Sequence, residues 1–265
     1  RWTGTHSWWL FVFNTNFIYA QKGGATTGVM THYWSLAIEE QFYLVWPFVV
    51  WLCNRRQLIT IAGMIAITAL VLRMAMTVQA VHAEAIFSLT PTRMDAMAWG
   101  ALASLIIRGE SGLRAAIRPA RIAILCSVAA LASIFLVRHT TSAFDPWVQT
   151  AGYSLLACLF CTAIITSLCA GWLQTIFSLP WLRWLGKHSY GLYVWHPIIG
   201  SLIFYGPYRP VASGTGAGLL IFAAVGLLNL LMAWASYRYW ERPFLLLKRY
   251  APQPNQKSLA ASDPV

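Results

Sequence analysis

Long apolar stretches, broken by short clusters of charge, dominate this 265-residue chain. A helix that crosses a bilayer needs about 20 consecutive, mostly apolar residues. Seven stretches answer to that pattern: residues 34–52, 58–80, 95–107, 122–137, 147–170, 190–205 and 216–240, the third of them short. The predicted fold is all-α, a polytopic transmembrane helix bundle of about seven spanning helices. Residues 7–20 are apolar and aromatic but too short to span, and predict an interfacial or re-entrant segment. Residues 251–265 are polar, hold three Pro and predict a disordered tail. The chain shows no internal repeat and no second domain.

Composition narrows the class. The chain is 58% hydrophobic and only 10% charged, whereas a soluble domain carries about 25% charged residues. This excludes a soluble globular fold, a disordered chain, a coiled coil and a disulfide scaffold. Fourteen Trp and eleven Tyr fit a membrane protein, because these rings favour the bilayer–water interface. The five Cys all lie in apolar stretches and read as small buried hydrophobes. Cys158 and Cys161 form a C-x-x-C pattern inside an apolar helix, without the βαβ context of a redox site.

The net charge of +11 reads as a topology signal rather than a nucleic-acid footprint. Thirteen cations follow the first, third, fifth and last segments: Arg55, Arg56, Arg108, Arg114, Arg118, Arg121, Arg183, Lys187, Arg238, Arg242, Lys248, Arg249 and Lys257. Five lie on the other side: Arg1, Lys22, Arg93, Arg138 and Arg209. The positive-inside rule puts the larger set, and the C-terminus, in the cytoplasm. The same count makes residues 95–107 a short or tilted true span. The chain begins at Arg1 without a signal peptide and is expected to be a piece of a longer protein.

Ionisable groups inside a membrane are costly and by default point to function. The first segment opens with His32, Ser35, Glu39, Glu40, Gln41 and Tyr43. Adjacent helix positions point about 100° apart, so the two carboxylates cannot share a face. Ser35, Glu39 and Tyr43 are spaced four apart and do. Arg73 lies at a comparable depth, and Arg93 and Asp95 open the third segment on the same side. Together these form an outer charged layer. It reads as catalytic machinery or as a structural ion-pair network among Glu39, Arg73 and Asp95. An inner layer holds Lys187, His188, Ser189 and Tyr190, with His196 nearer mid-membrane, and Glu241, Arg242 and Pro243. His196 before Pro197 reads alternatively as a donor to a carbonyl freed by the proline, and Glu241-Arg242-Pro243 as a helix stop followed by a surface run, residues 244–250.

Several catalytic patterns are missing. There is no G-x-S-x-G elbow, no P-loop and no H-x-x-x-x-D pair, since His139 and Asp145 are separated by five residues. No His/Cys cluster has metal-ligand spacing, so no metal is expected.

The first block, Thr31-His32-Tyr33-Trp34-Ser35-Leu36-Ala37-Ile38-Glu39-Glu40-Gln41-Phe42-Tyr43, resembles the W-S-L-x-x-E-E-Q-F-Y signature of the acyltransferase-3 family, the OafA-like integral-membrane O-acyltransferases. Arg93-Met94-Asp95 with Gly100 resembles the family's R-x-D-x-x-x-x-G block. Gly186 through Ser189, Tyr190, Tyr193 and His196 resemble its G-x-x-S-Y-x-x-Y-x-x-H segment, and Glu241-Arg242-Pro243 its terminal E-[KR]-P block. The four blocks occur in the family's order and cover about residues 8–250.

The resemblance implies that residues 1–250 are the C-terminal part of a membrane acyltransferase domain of about ten helices, some three of them upstream. It implies transfer of an acyl group, usually acetyl, from acetyl-CoA as co-substrate to a hydroxyl of a carbohydrate such as lipopolysaccharide O-antigen, peptidoglycan or exopolysaccharide. The family's histidine in its first transmembrane helix and the Arg-rich motif after it fall upstream of this chain. Of the residues present, Glu39 and Glu40 are the expected catalytic partners of that histidine. His32, Ser35, Tyr43, Arg73, Arg93, Asp95, Tyr190 and His196 are expected to bind substrate, and Lys187 and Arg242 the phosphates of CoA. The bilayer and a carbohydrate are the expected partners, and a bacterial inner membrane the expected location. The alternative is a proton-coupled permease for a lipid-linked sugar or organic acid, which buried carboxylates and an intramembrane histidine also suit; against it, the chain lacks the matched halves common in carriers.

Overall fold

A computed structural model describes residues 13–22, 32–109, 112–169, 171–204 and 215–247, and every element among them is helical. Residues 7–12, the tail at 251–265, and Arg1, Arg209, Lys248, Arg249 and Lys257 of the charge count lie outside the described residues. The chain divides into two compact units, Arg1–Leu179 and Pro180–Val265.

The first unit contains α1 (Thr15–Lys22), α2 (Tyr33–Leu52), α3 (Arg55–Val78), the short α4 (Ala83–Ser88) and α5 (Thr90–Arg93), α6 (Asp95–Ile107), α7 (Gly112–Arg138), α8 (Tyr153–Ser167) and α9 (Trp172–Phe177). A π-helical turn, Val148–Gly152, leads into α8. The second unit contains α10 (Pro180–Phe204), α11 (Thr215–Ser236), a π-helical turn at Tyr237–Glu241 and α12 (Arg242–Leu247).

Local chemistry sets several of these boundaries. A capping box opens α3: the Gln57 amide donates to Asn54 Oδ1 at 3.0 Å, and the Asn54 amide donates to Gln57 Oε1 at 2.9 Å. Asp145 caps the turn before α8 in one direction only, accepting from the Trp147 amide at 2.9 Å. Pro180 is the first residue of α10, where its missing N–H leaves no bond unmade. Small side chains then let helices approach. Ala116 and Ala120 of α7 and Cys161 and Ile165 of α8 form one buried cluster, with Trp99, Ala103 and Ile107 of α6 packed on it. Large apolar side chains point outward instead: Leu44, Trp51, Val78, Leu125 and Phe222 are all exposed. That is the arrangement of a chain whose surroundings are as apolar as its core.

Three sequence expectations change. Among the described residues, four helical stretches are long and apolar enough to cross a membrane: Arg55–Val78, Gly112–Arg138, Val148–Ser167 and Gly216–Leu247. The expected seven are therefore four by length and apolarity. α6 is apolar but has 13 residues, about 20 Å at 1.5 Å rise. α2 and α10 have 20 and 25 residues, with Glu39 and Glu40 in one and Arg183, Lys187 and His188 in the other. Second, α7 begins ten residues before the apolar run at 122. Arg114, Arg118 and Arg121, spaced i, i+4, i+7, are exposed on one face while Ala116 and Ala120 are buried, so an amphipathic helix occupies what reads as an arginine-rich loop. Third, α10 likewise begins ten residues before 190 and carries Arg183 and Lys187 on helix.

Candidate active site

The charged layer of the first unit centres on Arg73, which projects from α3 and is wholly enclosed. Its Nη2 pairs with Asp95 Oδ2 at 2.7 Å and donates to Ser154 Oγ at 2.6 Å. Ser154 in turn donates to Asp95 Oδ2 at 3.0 Å. Nη1 donates to the Thr92 carbonyl, and Nε has no partner. The other Asp95 oxygen accepts from the Ala96 amide at 3.0 Å, at the start of α6. One buried ion pair thus ties α3, α5, α6 and α8 together. It holds because each charge is met by both a counter-charge and a hydroxyl; an uncompensated charge at this depth would be severely unfavourable.

Arg93, two residues before Asp95, is held differently. Its guanidinium carbon lies 4.1 Å from the centroid of the Tyr153 ring, 5.6 Å from Phe87 and 5.7 Å from Trp34. Trp34 and Phe87 pack at 4.5 Å, and Tyr19 lies 6.2 Å from Trp34. α1, α2, α4 and α8 each supply one wall of this box. The π-helical turn just before Tyr153 and Ser154 positions them, one against each arginine; such turns recur at functional sites. Gln149 within the turn is buried and donates to the Ala83 carbonyl at 2.8 Å, anchoring it to α4.

On α2 the two carboxylates diverge as helical spacing requires. Ala37, Ile38 and Phe42 are buried. Glu39 and Tyr43 are exposed on the same face as the half-buried Ser35, and Glu40 is half-buried. His32 caps the N-terminal end of α2 and is exposed. Glu39 therefore stands apart from the Arg73–Asp95 pair, and the expected three-way network contracts to two of its members. The next signature residue, Gln41, turns inward. It donates to Asn16 Oδ1 at 3.2 Å and accepts from Thr90 Oγ1, while Asn16 donates to Thr90 at 2.9 Å. This network docks α1 and α5 onto α2.

In the second unit, Lys187 Nζ sits 4.6 Å over the Tyr237 ring. His188 is buried, its Nδ1 2.7 Å from the Trp184 carbonyl and its ring 4.9 Å from Tyr237. His196 Nδ1 donates to the Tyr193 carbonyl at 2.8 Å. That carbonyl is the acceptor that Pro197, lacking an N–H, leaves unbonded four residues earlier. The plainer expectation for His196 is the one its geometry matches. Tyr190 is exposed on α10 and Arg242 opens α12, also exposed.

The residues that the sequence reading missed are Trp34, Phe87, Tyr153 and Ser154 around the two arginines, and Asn16, Gln41 and Thr90 beneath them. Trp34 and Gln41 lie within the first signature block and were recoverable from it. Phe87 and Tyr153 come from segments without any catalytic pattern.

Compared with known proteins, the chain matches the acyltransferase-3 family model, described as an acyltransferase domain, over residues 2–238. It is 33% identical over 210 residues to the peptidoglycan O-acetyltransferase OatA of Listeria monocytogenes, a stretch covering 73% of this chain and 32% of that protein. It is 29% identical over 246 residues to the O-acetyltransferase OatA of Staphylococcus aureus, covering 86% of this chain and 38% of the relative. The chain thus spans about a third of the length of these relatives. No solved structure matches it. The chain belongs to the acyltransferase-3 family.

Proposed function

We propose that the chain forms part of an integral-membrane O-acyltransferase that moves acetyl from acetyl-CoA to a hydroxyl of a cell-wall carbohydrate. The family match over residues 2–238 carries this reading, and the O-acetyltransferase relatives support it. The permease alternative is not favoured by them. In this reading α2, α6 and α10 complete a set of seven spans, and the C-terminus is cytoplasmic in a bacterial inner membrane. CoA phosphates are drawn toward Lys187 and Arg242.

The chemistry requires a sugar hydroxyl to attack the thioester carbonyl. Its proton passes to a general base, the carbon–sulfur bond breaks, and CoA leaves as the thiol. A base works best with a pKa near the working pH, and the family's upstream histidine suits that task. We assign Glu39, with Glu40, to orienting that histidine or the acceptor. Glu39 is uncovered on the Ser35–Tyr43 face, and an ionisable group within a membrane faces protein or water rather than lipid.

The test uses the full-length protein in its own membrane. Glu39→Gln keeps size and hydrogen-bonding capacity, so it should insert normally and lose most acetyl transfer from labelled acetyl-CoA to cell-wall glycan. Full transfer in normally folded Glu39→Gln and Glu40→Gln proteins would remove both carboxylates from the mechanism. Cysteine labelling at positions 56 and 115 reads the topology: both should be shielded from outside, and position 142 should react.

A further inference from the structure

The two arginines of the first unit are unequal. Arg73 spends its Nη donors on Asp95, Ser154 and the Thr92 carbonyl. Asp95 is fully committed in return, to Arg73, Ser154 and the Ala96 amide. Arg93 lies beside this pair, half-buried, and its side chain forms no ion pair and no hydrogen bond among the described residues. What holds it is three ring faces, Tyr153, Phe87 and Trp34. Rings fix the plane of a guanidinium and attract its charge, but they satisfy none of its five N–H donors. With Asp95 neutralising Arg73, the cluster is left with one positive charge.

We propose that Arg93 and the box of Trp34, Phe87 and Tyr153 seat a ligand that carries an oxyanion, carboxylate or phosphate, next to a flat apolar ring face. The guanidinium fork matches the oxyanion with two parallel hydrogen bonds, a geometry that an ammonium lacks. The aromatic walls exclude water from those bonds and stack against the adjoining ring. The arrangement is preorganised, because the Arg73–Asp95–Ser154 bonds fix the start of α6 and the Tyr153–Ser154 corner before any ligand arrives. This deepens the acyltransferase reading and rests on it only in naming the sources of the ligand. An acidic acceptor glycan offers a carboxylate beside a pyranose face; the donor offers phosphates beside an adenine, and their binding here would displace the assignment of those phosphates to Lys187 and Arg242.

Binding without turnover tests the seat separately from the reaction. The full-length protein in nanodiscs of neutral lipid is titrated with a glucuronic-acid-containing disaccharide, with CoA, and with a neutral disaccharide of the same size, and binding is read by isothermal titration calorimetry. One anionic probe should bind at least tenfold more tightly than the neutral one, and Arg93→Gln should remove that preference. Arg93→Lys should keep only part of it, since a point charge remains and the fork is lost. A preference for the disaccharide identifies an acceptor seat, and one for CoA a donor seat. Equal binding of all three probes by the wild-type protein overturns the proposal, as does an unchanged preference in a folded Arg93→Gln protein. If Arg93→Gln does not fold, the methyl ester of the glucuronic acid disaccharide, and adenosine in place of CoA, supply the same contrast on the wild type. A missing acetyl-transfer activity would count against the proposed function and leave these binding results standing.

Discussion

The two units meet their polar groups in different ways. In Arg1–Leu179 the largest fully buried side chain among the described residues, Arg73, is answered by a carboxylate from another helix and a hydroxyl from a third. In Pro180–Val265 no ion pair occurs among the described residues. There Lys187 lies over the Tyr237 ring, and His188 and His196 bond to carbonyls of their own helix. Charge-to-charge pairing joins elements distant in sequence, so each partner depends on the other to remain folded. A carbonyl of the same helix is a local support, and a ring face that loses its cation is left with no stranded charge. The first unit is thus built around a commitment that a single substitution breaks, and the second around contacts that tolerate it.

The largest test of that contrast is Asp95→Ala. Removing one partner of a buried pair costs about 3–5 kcal/mol, here leaving Arg73 charged and fully enclosed. Folded yield in detergent should collapse, with fluorescence-detected size-exclusion as the readout. Arg73→Met combined with Asp95→Leu should restore much of that yield, because a well-packed apolar pair replaces the ion pair without an orphan charge. Normal yield from Asp95→Ala alone would show that the pair is not what holds α3, α6 and α8 together.

In the second unit the sensitive point is shape rather than charge. A methyl group at Gly191 would lie 3.0 Å from the Ala233 Cα and 3.2 Å from its carbonyl oxygen. Backbone atoms do not yield as a flexible side chain does, so α10 and α11 must separate. Gly191→Ala should cost about 1–3 kcal/mol, the range for overpacking, and lower the thermal midpoint of the purified protein. Lys187→Met should cost less, about 0.5–1 kcal/mol, since the methionine still packs on Tyr237. If Lys187→Met proved as damaging as Asp95→Ala, the distinction between the units would fail.

The same contrast explains what was legible in the sequence. The helix at Asp95–Ile107 is read correctly to the residue, because polar Arg93 and Asp95 bound it on one side and Arg108 on the other. The start of α2 is read to within one residue for a similar reason. α7 and α10 are misread by ten residues, because an apolar-run criterion ignores an amphipathic turn whose cations share a face. Asp95 and Arg73 can be paired from their depths, but depth does not give rotation about the helix axis, and Glu39 at similar depth points elsewhere. Ser154 lies 59 residues from Asp95 and carries no signal of its own. The aromatic box is assembled from four elements, so only the fold reveals it.

The smallest effect should come from the first unit's other ion pair. Arg138 Nη2 meets Asp145 Oδ2 at 2.8 Å in the link before α8, with the Arg138 side chain 39% exposed. Burial pushes the Asp145 carboxyl up, but hydrogen bonds from Arg138 and from the Trp147 and Val148 amides outweigh it and hold the group below its ordinary value. A depressed carboxylate stabilises the fold at pH above its unfolded value of about 4 and loses that contribution as pH falls through the folded value. With its arginine this exposed, the pair is worth only about 0.2–1 kcal/mol. Asn at position 145 can still cap the turn through its side-chain oxygen, so Asp145→Asn isolates the charge. The melting temperature of the wild type should exceed that of Asp145→Asn slightly at pH 7, and the gap should close toward pH 3 and shrink in high salt. Equal melting temperatures already at pH 7 would mean that Asp145 acts through the cap alone. The same kind of pair would then differ from Arg73–Asp95 in mechanism, and not only in the depth at which it sits.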